Sequence, residues 1–174
     1  MKRRGGALET DWKIHSKNSA EILARAIGNA MIFMSAKRVF FDTNVLIYAY
    51  DNTAPAKQAV ARNLLRDAFR QGNGVLSAQV LGEFFHVAVI RKALLAAAEA
   101  EVVVTELSAL PVELIDFPLV LSAVALHKRF GTRYWDSLIL AAAKRAGCAT
   151  VLSEDFNSGQ DYDGVRVQNP FTQP

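Results

Sequence analysis

The sequence predicts an α/β fold with a central, largely parallel sheet, and three observations point there. Short apolar strand patterns alternate with longer segments of helical period, turn residues mark the changes, and 174 residues with 51% hydrophobic content suffice for one domain with a substantial core.

Val39-Phe40-Phe41 reads as a buried strand. Between Ala54 and Arg70 the apolar residues Val60, Ala61, Leu64, Leu65 and Ala68 keep a helical period, which Gly72-Asn73-Gly74 ends. Val75-Leu76 is a short second strand. A very apolar helix from Gln79 to Arg91 follows, then another from Ala96 to Leu110, stopped by Pro111. A strand over Val112 to Asp116, helices over Leu119 to Arg129 and Tyr134 to Arg145, and strands at Thr150 to Leu152 and Val165 to Val167 complete the series.

Residues 1–33 read differently. They open on Lys2-Arg3-Arg4-Gly5-Gly6 and show only a weak helical pattern through Ile22, Leu23, Ala26, Ile27 and Ala30. The expectation is an N-terminal extension over 1–33, flexible or a mis-annotated start ahead of Met34, and a domain over 34–174. Charges continue to Arg25, so the segment makes a poor secretory signal. It also holds the whole net charge of +3, with six Lys/Arg against three Asp/Glu, leaving 14 of each in the remainder. Global charge therefore says nothing about partners. A single cysteine, Cys148, excludes a disulfide framework and any multi-cysteine zinc site, and fits a reducing compartment. Apolar runs are broken before the roughly 18 residues of a membrane span, so a cytoplasmic chain with no membrane partner is expected.

Most acids, such as Asp67, Glu99, Glu101 and Glu106, stand on helices among polar or small neighbours. Three do not. Asp42 follows Val39-Phe40-Phe41, Glu83 lies between Val80-Leu81 and Phe84-Phe85, and Asp136 lies between Tyr134-Trp135 and Leu138-Ile139-Leu140. Glu83 shares a helical stripe with Val80, Val87 and Ile90, so its face should be mostly core. A fourth acid, Asp155, follows Thr150-Val151-Leu152 as Asp42 follows its own strand, with Glu154 beside it. Carboxyl ends of parallel strands form the crevice where ligands bind, so the four carboxylates are expected to converge there. At 4 Å and an effective dielectric of about 20 each like-charge pair costs roughly 4 kcal/mol, and divalent cations are the obvious compensation. Oxygen-only ligation points to Mg²⁺ or Mn²⁺. The alternative is that each acid makes a structural ion pair or caps a helix, as a first-turn Asp136 would.

Val39-Phe40-Phe41-Asp42-Thr43-Asn44-Val45-Leu46-Ile47, then Glu83, Trp135-Asp136-Ser137 and Ser153-Glu154-Asp155 resemble the PIN-domain ribonucleases, and more closely the VapC-type toxins. The resemblance runs over roughly residues 36 to 171, including the ending Gly164-Val165-Arg166-Val167-Gln168-Asn169-Pro170-Phe171. It implies a three-layer α/β/α fold and a metal-dependent endoribonuclease in which Asp42, Glu83, Asp136 and Asp155 hold one or two Mg²⁺ (or Mn²⁺) ions. It further implies a toxin that forms a homodimer and is silenced by a cognate antitoxin. Thr43, Asn44 and Ser153 suit hydrogen bonds to those ligands or to a phosphate oxygen, with turn and cap chemistry as the alternative, and Glu154 could assist Asp155. Lys128, Arg129 and Arg133, or Lys144 and Arg145, are cations available to an RNA backbone. Tyr134 and Trp135 could stack bases, although aromatics in so apolar a helix are more often core.

Two rivals remain. A haloacid-dehalogenase-type phosphatase also puts an Asp after its first strand, but Asn44 stands where its second acid belongs. A catalytically silent module would keep the fold as an RNA- or protein-binding surface. The Glu83-x-x-His86 spacing matches di-iron bundles, yet neither His15 nor His127 has a Glu three residues before it, which makes His86 a core or pocket-edge residue.

Overall fold

The computed structural model describes residues 37–172, so the segment 1–33 and its weak helical pattern lie outside the described residues. Six strands form one sheet in the order β3-β2-β1-β4-β6-β5: β1 (Val39–Phe41), β2 (Gly74–Ser77), β3 (Val112–Glu113), β4 (Thr150–Leu152), β5 (Asp161–Tyr162) and β6 (Val165–Gln168). All neighbours pair in parallel except β5 with β6. The flanking helices are α1 (Thr43–Tyr48), α2 (Pro55–Gln71), α3 (Ala78–Phe85), α4 (Ala97–Leu107), α5 (Phe117–Phe130) and α6 (Tyr134–Arg145). The α/β fold with a largely parallel sheet is therefore as expected.

The core follows the periods of the sequence. Ala61, Leu65 and Ala68 line the buried face of α2, and Leu119, Ala123 and Leu126 that of α5. Every residue from Ser137 to Ala143 of α6 is buried, so that stretch of the helix is core on all sides. At Gly74 a side chain would not fit: a Cβ there would lie 2.9 Å from the Cβ of Ala68. Gly72, at φ 63°, closes α2 in the left-handed region.

Two short elements escape the sequence pattern, and two expected ones need correction. The chain turns helical straight after β1, with Asp42 capping α1, a six-residue helix too short to show a period. The two residues of β5 are likewise too few to pattern. The strand expected over Val112 to Asp116 stops at Glu113, because Asp116 turns to cap α5 through Leu119 N–H at 2.9 Å. The helix expected from Gln79 to Arg91 is α-helical only to Phe85 and continues as a π-helical segment, His86–Arg91. That wider winding carries Ile90 off the Val80–Glu83 stripe, leaving it 66% exposed, and His86 is exposed rather than core.

Candidate active site

The site lies beyond the carboxyl ends of β1 and β4. Asp42 donates its backbone N–H to Leu152 O at 3.0 Å, which continues the β1–β4 pairing by one residue and sets its side chain beside Ser153. Asp42 is only 5% exposed. Its Oδ1 accepts the Thr43 N–H at 2.6 Å, and its Oδ2 accepts the Ser153 hydroxyl at 2.5 Å and the Asn44 amide at 3.0 Å. Burial pushes the Asp42 carboxyl from 3.8 up to about 6 despite the hydrogen bonds from Ser153 and Thr43, and the charges of Asp155 and Glu83 add to the rise.

Asn44 ties the two strand ends together, since its Nδ2 also reaches Ser153 Oγ and Asp155 Oδ2, each at 3.1 Å. Glu83, on α3, accepts the Thr43 hydroxyl on Oε2 at 2.9 Å and the Gln79 amide on Oε1 at 2.8 Å. Gln79 stands one helical turn before Glu83, so the pair is the ordinary i,i+4 contact. The same amide reaches Trp135 O at 3.3 Å, while Gln79 Oε1 is buried without a hydrogen-bond partner. Asp136, in the first turn of α6, accepts from Arg133 Nε at 2.8 Å.

Asp42, Glu83, Asp136 and Asp155 all line one cleft of about 510 Å³. They share a wall, not a point: among the described residues no three acidic, His or Cys side chains are gathered to hold one ion as they stand. The reason is visible in the bonds, since Thr43 and Gln79 hold Glu83 and Arg133 draws Asp136 aside. The donor set still fits a hard cation. Mg²⁺ usually takes one or two carboxylates and keeps its waters, and both the penalised Asp42 charge and the orphaned Gln79 oxygen are groups a hydrated cation would satisfy.

The remaining expectations divide. Thr43, Asn44 and Ser153 bond to the acids, as anticipated. Glu154 lines the cleft but pairs with Lys57, which also donates to Tyr48 Oη at 3.0 Å. Of the five cations, only Arg133 reaches the cleft; Lys128 is exposed away from it, Arg129 and Lys144 are taken by Asp163, and Arg145 by Glu113 and Asp116. Trp135 is 61% exposed at the cleft, not core. Gln79, Arg91 and Lys92 also line the cleft and were not anticipated. A Gln one turn before a misplaced Glu was the available signal.

The PIN domain family model matches residues 39–159, a span that holds all four acids. The chain belongs to the PIN domain family. Among solved structures, this PIN domain is similar to the Sarcin-Ricin loop cleaving toxin VapC20 of Mycobacterium tuberculosis at 20% identity and a TM-score of 0.54, over 67% of this chain and 89% of that one. It is similar to the DNA bound VapBC of Salmonella typhimurium at 18% identity and a TM-score of 0.56, over 78% of this chain and 99% of that one. At those identities the likeness is one of fold. No curated protein matches the chain.

Proposed function

We propose that this PIN domain is a divalent-metal-dependent endoribonuclease acting in the cytoplasm, with the nuclease unit over residues 34–174. One observation carries the reading. Asp42 is a buried carboxylate faced by two others, and every hydrogen bond it receives comes from a neutral donor, so its charge lacks a cation. Asp42, Glu83, Asp136 and Asp155 would hold Mg²⁺ or Mn²⁺, some directly and the rest through waters the ion keeps. The metal, when bound, supplies positive charge to a phosphodiester and lowers the pKa of a water that attacks it. Ser153 and Asn44 orient Asp42, Asn44 also orients Asp155, and Thr43 with Gln79 orients Glu83. Arg133 offers a guanidinium to the RNA backbone from the same cleft.

The fold likeness to VapC20 and VapBC supports a toxin role, with a cognate antitoxin and a second copy of the chain as protein partners. Apolar surface is available for both. Phe117, Leu121 and Val124 form an exposed stripe on α5, with Leu114 and Ile115 just before it, and a separate groove beside α3 and α4 is lined by Leu81, Phe85, Ala97 and Val104.

The test is cleavage of total RNA by the purified chain with Mg²⁺ or Mn²⁺, with EDTA, and with Asp136→Asn. Cleavage that needs the metal and falls about 100-fold in the variant supports the proposal. Metal-independent cleavage would overturn it. Hydrolysis of small phosphate esters would favour the phosphatase instead, and RNA binding without turnover a silent module. Co-purification with the product of a neighbouring small reading frame tests the antitoxin.

A further inference from the structure

An exposed tryptophan beside a misplaced acid is an unusual pairing, because a ring of that size gains most by leaving water. Trp135 is 61% exposed, lines the acid cleft and directly precedes Asp136. Its backbone is fixed: the residue sits in the first turn of α6, and its carbonyl accepts the Gln79 amide at 3.3 Å. Its ring is steadied on one side by Tyr134, whose centroid lies 5.2 Å away at an interplanar angle of 69°. One partner at that angle, with more than half of the residue in water, leaves a ring face open. Arg133, on the other side of Tyr134, is also exposed at the cleft, so a cation and an aromatic plate flank the approach to Asp136. No apolar neighbour in the core needs this ring, since the buried part of α6 begins only at Ser137.

We propose that Trp135 is the platform on which an unpaired nucleobase next to the scissile phosphodiester stacks. A base can lie on that plate only when it is free of its own helix, so the cleft takes single-stranded or looped RNA in preference to duplex. Stacking tolerates every base, so the platform selects strand state and leaves sequence choice to other contacts. This inference rests on the nuclease reading above.

The chain has two tryptophans, Trp12 and Trp135, so a Trp12→Phe, Asp42→Asn protein reports on Trp135 alone while cleavage is blocked. The probes are a mixed-sequence single-stranded oligoribonucleotide, the same strand annealed to its complement, and an abasic ribose-phosphate chain of equal length. The expected result is quenching of tryptophan emission by the single strand, less by the duplex and none by the abasic chain. Trp135→Ala should weaken binding of the single strand about tenfold or more, leave binding of the abasic chain unchanged, and be partly rescued by Trp135→Phe. Equal binding of the single strand by Trp135→Ala, without quenching in the parent, overturns the inference while metal-dependent cleavage by the wild-type chain still stands. Absence of binding to every probe, together with absence of wild-type cleavage, overturns both.

Discussion

Two groups of acids in this molecule are treated in opposite ways. Asp163 is held by Arg129 and Lys144, Glu113 and Asp116 share Arg145, and Asp51 meets Lys92 at 2.8 Å. Asp42, Glu83 and Asp155 have no ion-pair partner among the described residues and receive hydrogen bonds from Ser153, Thr43, Asn44 and Gln79 instead. Neutral donors fix where a carboxylate points without cancelling its charge. The first group is therefore finished as folded, whereas the second is oriented but electrically incomplete, as the proposed cation site requires.

The strongest way to break this contrast is to remove one carboxylate charge from each group. Asp42→Asn should reduce RNA cleavage at least about 100-fold, because the proposed metal site would lose a ligand. Asp163→Asn, which removes a carboxylate outside the cleft, should leave cleavage at the wild-type rate. Equal losses in the two variants, measured as initial rates at saturating Mg²⁺, would erase the distinction.

The same contrast predicts opposite responses to pH. Burial raises Asp42 from 3.8 to about 6, so the metal-free fold binds its proton more tightly than the unfolded chain does. Stability from this group is fully present below about pH 4 and is lost as pH rises to about 6, a penalty of order 3 kcal/mol. Asp51 runs the other way. Hydrogen bonds from Lys92 and Thr53 lower it to about 2, so its contribution is present above about pH 4 and is lost as pH falls towards 2. Melting curves should therefore show that Asp42→Asn stabilises the metal-free protein above pH 6 and Asp51→Asn destabilises it there. Added Mg²⁺ should raise the melting temperature of the wild type above pH 6, not below about pH 4, and should do little for Asp42→Asn.

How much of this was legible in the sequence depends on how far each feature reaches along the chain. The sheet class was legible because strands such as Val39–Phe41 and helices such as α6 carry their own period. Asp42, Glu83 and Asp136 were legible because each interrupts an apolar segment, where a charge needs a reason, and Asp155 because it follows its strand as Asp42 does. The arrangement between them was not. That Asn44 bridges Asp42 and Asp155, or that Arg129 turns to Asp163 and leaves the cleft to Arg133, depends on contacts between residues far apart in sequence. Trp135 misled for a related reason: a helix that is all core from Ser137 to Ala143 reads as core in its first turn too.

Arg133 stands between the two groups, since it pairs with Asp136 yet lines the cleft with its side chain 72% exposed. If its place is to meet RNA, Arg133→Ala should weaken binding several-fold across all sequences and reduce the salt dependence of log K by about one. A purely structural pair would leave the salt slope unchanged. Fluorescence anisotropy with a labelled single strand, titrated at several salt concentrations in the Asp42→Asn background, separates the two.

The smallest effect should come from Arg145, and its smallness is informative. This side chain donates to Glu113 at 2.7 Å, to Asp116 at 2.7 Å and to Leu114 O, which makes it the most heavily bonded cation among the described residues. A bond count alone would rank it first for importance. Surface ion pairs, however, exchange one solvated charge for another and contribute little net stability. Arg145→Ala should lower the melting temperature by no more than about 4 °C, with the drop shrinking in high salt. It should leave cleavage untouched, because neither Glu113 nor Asp116 lines the cleft. A large loss of activity in this variant, with the fold intact by circular dichroism, would mean that the paired acids also serve the site, and the two groups could no longer be read as separate.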